Sequence, residues 1–179
     1  TLGSVRIPAA YCGIAGFKPT FGTISTRGML PLAWSLDTVG VIAPRIADCA
    51  LIAATAKGFD REWPYARRGP WMIREKRFGD PQALGGLRVG RPTGLERVVI
   101  EAELARAYER ALAHLAACGA QVIDVDFGAL DHARVRREAF LVIEIEGATT
   151  FAEALRQDPE GFSETVRALF GYGARQSAV

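Results

Sequence analysis

Between Glu101 and Cys118 the apolar positions Leu104, Tyr108, Ala111, Leu112 and Leu115 recur at three- and four-residue steps, the spacing that gathers them on one face of a helix. Gly119 supplies the stop. The period then changes: Ile123, Val125 and Phe127 alternate with Asp124 and Asp126, which predicts a strand over 121–127 with one wet face. Leu87 to Arg91 predicts a strand before the helix, so strand, helix and strand follow in the order of a parallel crossover. Nearer the start, Ala15 to Thr20 reads as a short strand ended by Pro19, with Thr23 to Ser25 continuing it beyond the Gly22 turn. Val39 to Ala43 reads as another strand and Ile46 to Lys57 as a helix stopped by Gly58. Asp131 caps a long helix through Leu155, and Ser163 opens a further one through Gly171. This alternation predicts an α/β fold.

Composition agrees with a packed domain. The chain has 179 residues, 49% of them hydrophobic and 23% charged, as in ordinary soluble globular proteins. Its formal charge of +2 gives no reason to expect nucleic acid or an acidic membrane surface as a partner. The apolar run Ala47 to Ala56 is broken by Asp48 and is too short to span a bilayer. Cys12, Cys49 and Cys118 are odd in number and widely spaced, unlike a zinc site or redox dithiol, and point to a reducing, cytoplasmic setting. Residues 59–86 interleave Trp63, Tyr65, Trp71 and Phe78 with six basic residues, a composition that can stack on single-stranded nucleic acid. Four acidic residues, Asp60, Glu62, Glu75 and Asp80, offset that charge, so the reading here is an ordered connection with its aromatics packed on the core.

The candidate chemistry lies at the start. Thr1-Leu2-Gly3-Ser4 is a turn of mostly small residues running into Val5-Arg6-Ile7-Pro8-Ala9, where Pro8 suits the first turn of a helix. Ser4 is expected at that helix's N-terminus, either as its cap or as a hydroxyl displayed beside unpaired amides that favour developing negative charge. The blocks Gly3-Ser4-Val5-Arg6-Ile7-Pro8-Ala9, Cys12-Gly13-Ile14-Ala15-Gly16-Phe17-Lys18-Pro19-Thr20 and Ser35-Leu36-Asp37-Thr38-Val39-Gly40 follow in order within forty residues. Together they resemble the amidase signature family.

That resemblance implies a mixed β-sheet covered by helices, with Ser4 as the nucleophile in the hydrolysis of a carbon–nitrogen amide bond through an acyl-enzyme. The backbone amides of Thr1, Leu2, Gly3 and Ser4 would form the oxyanion hole. In the family a second serine and a lysine base complete the site, and both precede the blocks matched here. The chain alone is accordingly expected not to turn over, and it reads as the central part of one larger domain, with 1–58 the signature block, 59–86 a connection and 87–179 the remaining elements. Lys18 and Ser25 fall in blocks the family uses structurally. Most members have glycine where Leu2 stands, which narrows the backbone here and bears on substrate shape. Arg6 reads either as a support for neighbouring backbone or as a surface arginine. Tyr11, Leu30, Trp34 and Ser35 are candidates for the acyl pocket.

Serine acyl transfer calls for no metal or organic cofactor, and the expected ligand is a small-molecule amide. A homodimer or partner subunit is compatible with the resemblance, since the same block is found in the glutaminase subunit of the tRNA-dependent amidotransferase. A non-catalytic scaffold of the same fold is the third reading. Other constellations fare worse. Asp124 and Asp126 share a face without a third metal ligand. Glu144 and Glu146, two residues apart on a helix, point roughly 200° apart and cannot share a site directly. A Ser-His-Asp arrangement has only His114 and His132 to draw on, and His114 lies on a polar face. Cys12, placed two turns along its helix, reads as a small buried residue.

Overall fold

Small residues bring the first helix down onto the first sheet. The structure, a computed structural model, describes residues 3–68, 84–94 and 100–176. Helix α1 (Arg6–Tyr11) is followed by strand β1 (Ala15–Phe17), which pairs antiparallel with β2 (Val41–Ala43), Ala15 opposite Ala43 and Phe17 opposite Val41. Helix α2 (Ile46–Ala56) covers this pair, and Val41, Ala43, Cys49 and Ala53 form the core with Ala15 and Phe17 packed against them. A Cβ on Gly16 would meet Ala9 Cβ at 2.8 Å and Val5 O at 3.0 Å, so only glycine lets α1 lie this close to β1.

The chain divides into two units, Thr1–Ile73 with Arg136–Val179, and Arg74–Val135. In the second, strand β3 (Arg88–Thr93) runs parallel to β4 (Gln121–Asp126), with α3 (Ala102–Ala117) between them in sequence, as the periodicity predicted. Gly119, at φ +94°, ends α3: its N–H reaches Ala116 O and that of Ala120 reaches Leu115 O. Arg91 faces Asp124 across the pair at 2.6 and 3.0 Å, and this guanidinium holds the Asp124 carboxyl below its ordinary range. Asp126 instead accepts from Gly128 N–H at 2.8 Å, so the two aspartates are separately engaged. No group of three potential metal-ligating residues forms among the described residues.

The last helices belong to the first unit apart from the opening turn of α4 (His132–Thr150). Asp131 caps α4 through Arg134 N–H at 3.0 Å, and α5 (Ala152–Gln157) follows. Ser163 caps α6 (Glu164–Gly173), accepting from Val166 N–H at 3.3 Å. The Phe151 ring stacks on Phe170, with centroids 5.7 Å apart, and meets Phe162 edge-on. Both caps lie where the sequence predicts them.

The α/β class with mixed strand pairing holds, and among the described residues the strands form two pairs, one antiparallel and one parallel. Several expectations change. Thr23 to Ser25 is not a strand, because Ser25 turns its hydroxyl to Asp60 Oδ2 at 2.8 Å. Gly58 does not stop α2 by a left-handed turn, since Lys57 is already extended at ψ 146°. The helix expected through Leu155 breaks at Phe151, where φ −100° and ψ 8° interrupt it. On α3 only Leu112 is buried, and Leu104 and Tyr108 are exposed. Among the described residues no helix is long and apolar enough to cross a membrane.

Candidate functional site

Ser4 stands on a turn, two residues ahead of α1. Gly3 has φ +148°, a region that side chains avoid, and its carbonyl accepts from Ile7 N–H at 2.7 Å. The helix begins at Arg6 behind Val5, which provides no side-chain cap. Ser4 is therefore neither the cap nor the first residue of the helix, a correction to the sequence expectation. Its side chain is exposed. Among the described residues its hydroxyl has no hydrogen-bond partner, and neither the Gly3 nor the Ser4 amide donates a hydrogen bond. Thr1 and Leu2 lie outside the described residues.

Two close approaches fix this turn from behind. Beyond the Gly16 contact, a Cβ on Gly40 would come within 2.6 Å of Val5 Cγ2 and 2.9 Å of Phe17 O, so the residue after Ser4 is seated between β1 and the entry to β2. The atoms that face Gly16, Ala9 Cβ, Val5 O and Arg6 Cα, are fixed to the backbone and cannot rotate out of the way. Gly16→Ala is therefore expected to lower stability by about 1–2 kcal/mol and to displace the Ser4 turn. Thermal unfolding, together with the rate of covalent labelling at Ser4 in the complete protein, checks both effects.

The remaining candidates are spread over the same unit. Arg6 is exposed without a described partner, and Tyr11 (90% exposed) and Leu30 (78%) project into solvent. Trp34 is exposed as well, at 40%. Two clefts, of about 440 and 400 Å³, are lined respectively by residues around Arg27 and Asp60 and by residues around Glu144 and Tyr172. Neither includes Ser4 or any of the four pocket candidates. Cys12 is exposed rather than buried, because Gly13 turns left-handed at φ +65° and ends α1 just before it. His114 is exposed, as its polar face implied.

Lys18 and Ser25 are occupied structurally. Lys18 Nζ donates to Pro19 O at 2.6 Å. The Ser25 hydroxyl, then the Glu62 amide and Arg27, hold the Asp60 carboxyl below its usual 3.8. The stabilisation linked to Asp60 is thus present above that usual value and lost as pH falls through the depressed one. Ser25→Ala should move the Asp60 titration upward, as read by carboxyl NMR. Phe21, Trp63 and Tyr65 pack together with centroids 5.5–5.9 Å apart and Arg68 lies 4.2 Å over Phe59, while Phe59 and Tyr65 themselves stay exposed. Trp71 and Phe78 fall outside the described residues.

One buried carboxylate escapes local reading. Glu146 on α4, 9% exposed, accepts from Ser35 Oγ at 2.5 Å and from Ser35 N at 3.0 Å. Glu144 has a different environment, beside Glu164 and Tyr172, as its helical angle from Glu146 predicts. The available signal was that Glu146 falls at helical spacing with Ala139 and Ile143, both half-buried, where a carboxylate needs a buried donor.

Comparison with known proteins covers nearly the whole chain. The amidase family profile matches residues 1–175. The A-type subunit of glutamyl-tRNA(Gln) amidotransferase from Chromobacterium violaceum is 37% identical over 153 residues, which is 84% of this chain and 30% of that protein. A solved chain from a vestigial protein complex connected with the origins of an s-triazine catabolic enzyme superposes with TM-score 0.81 at 28% identity, over 98% of this chain and 36% of its own. Kluyveromyces lactis allophanate hydrolase, solved as a variant, gives TM-score 0.75 at 25% identity, over 98% of this chain and 28% of its own. The chain thus spans about a third or less of the first relative's length. With the family profile matched from the Ser4 turn almost to the last residue, and the fold shared with solved relatives, this chain belongs to the amidase signature family.

Proposed function

We propose that the complete protein hydrolyses a carbon–nitrogen amide bond of a small molecule, with Ser4 as nucleophile. The observation that carries this reading is the Ser4 turn: an exposed hydroxyl without a described partner, preceded by a left-handed glycine and accompanied by two undonated amides. Ser4 Oγ attacks the carbonyl carbon and forms an ester, the C–N bond breaks, and the amine leaves with a proton. Water then cleaves the ester and restores the hydroxyl. The amides of Gly3 and Ser4, with those of Thr1 and Leu2, receive the charge on the oxygen of each tetrahedral intermediate. A free hydroxyl is a weak nucleophile, so the reading assigns its deprotonation to the lysine and second serine of the family site, contributed by the remainder of the protein. Arg6 lies outside the reacting atoms, and Tyr11, Leu30, Trp34 and Ser35 border the acyl group.

The test is covalent. A serine-reactive phosphonate added to the complete protein should modify one residue, which peptide mass spectrometry should locate at Ser4; modification elsewhere with Ser4 untouched would overturn the assignment. A second reading, one component of a multi-subunit amidotransferase, is favoured by the 37% identity to the Chromobacterium violaceum protein. Co-purification of partner subunits, with glutamine hydrolysed in their presence, would select it over a stand-alone amidase.

A further inference from the structure

Ser35 to Gly40 is held at both ends. At the first, the backbone N–H and hydroxyl of Ser35 donate to the two carboxylate oxygens of Glu146, 3.0 and 2.5 Å away. Within it, Asp37 Oδ2 accepts from Leu32 N at 2.7 Å and Ala33 N at 3.0 Å, folding the preceding chain back. At the far end Gly40 is pressed onto Val5, the residue following Ser4. Glu146 is almost fully buried, and Ser35 lies 111 positions away in sequence. A buried carboxylate with both oxygens given to one residue fixes that residue in position and angle, because either lost bond leaves a desolvated oxygen.

From these contacts we infer that Glu146 is a positioning residue for the Ser4 turn, acting through Ser35 and the segment that ends at Gly40. It touches neither nucleophile nor substrate. The inference rests on Ser4 being the nucleophile, and it adds a residue from the α4 helix to the support of that site. The chemical requirement is an acceptor of this length: Glu146→Gln keeps one carbonyl oxygen for the Ser35 donors, whereas Glu146→Ala keeps none.

The complete protein provides the test. Glu146→Ala should lower kcat and the phosphonate labelling rate at Ser4 together, by about tenfold, while KM changes less than about threefold. Glu146→Gln should recover part of the loss. Ser35→Ala keeps the backbone donor and should cost less than Glu146→Ala, and the double variant should lose clearly less than the product of the two single losses, because the Ser35 hydroxyl and Glu146 share one contact even though Ser35 also borders the acyl group. Hydrogen exchange in Glu146→Ala should quicken across residues 33–40 and also at the Ile7 amide, which Gly3 O protects in the Ser4 turn. Additive losses, a change confined to KM, or an unaltered Ile7 amide would each overturn the proposal. Should Glu146→Ala fail to fold, Glu146→Gln and Ser35→Ala carry the same comparisons. Retained activity in Ser4→Ala would defeat the reading of Ser4, while the exchange at Ile7 would still decide whether Glu146 holds the turn.

Discussion

Ser4→Ala in the complete protein is expected to lower kcat/KM for amide hydrolysis by at least about a thousandfold while leaving the unfolding temperature unchanged. The two halves of this expectation have separate physical origins. Without an attacking oxygen no ester forms, and what remains is the stabilisation that the oxyanion donors and substrate binding give to attack by water; a thousandfold corresponds to about 4 kcal/mol of transition-state free energy. The folded state, by contrast, gives up almost nothing, since the Ser4 side chain is exposed and makes no hydrogen bond among the described residues. Steady-state kinetics and calorimetry on the same preparation check both. A loss smaller than about tenfold would remove Ser4 from the reaction.

The largest expected effect on stability lies far from that turn in sequence. A methyl group on Gly173 of α6 would overlap the Glu144 carbonyl of α4 and lie 2.8 Å from Ile145 N. All the obstructing atoms are backbone, so no rotamer change relieves the clash and the two helices must separate. Overpacking of this kind costs up to about 3 kcal/mol, and the better helix propensity of alanine returns about 1 kcal/mol. Gly173→Ala should therefore destabilise the protein by about 2 kcal/mol, a fall of about 4–8 °C in Tm. An unchanged or raised Tm would show that α4 and α6 are not in this close contact.

Local chemistry makes much of the fold legible in the sequence. The β3–α3–β4 order followed from a change of hydrophobic period, and the roles of Asp131, Ser163 and Gly119 followed from the donors and acceptors that helix ends leave unpaired. Errors gathered where a distant partner or a single backbone angle decides the outcome. Ser25 leaves the extended run because Asp60, 35 positions later, accepts its hydroxyl. Cys12, expected within the helix and buried, is instead its exposed C-cap, where the left-handed Gly13 ends α1. The three signature blocks pointed to the Ser4 turn as the candidate site, whereas the Ser35–Glu146 contact proposed to support it could not be read from spacing, since no periodicity relates residues on a loop and a helix so far apart.

The order of residues also bears on how the protein forms as it emerges from the ribosome. Arg74–Val135 is one uninterrupted stretch, whereas the unit carrying Ser4 is assembled from two stretches that flank it. A nascent chain can therefore complete its inner unit while the first 73 residues still await α4 and α6. The Ser35–Glu146 contact closes only after 111 further residues have been added, so the Ser4 turn acquires its full support late in synthesis. The β1–β2 pair and the small-residue core under α2, by contrast, join residues 15–17 to residues 41–53, so they need only chain already made within the first 73 residues.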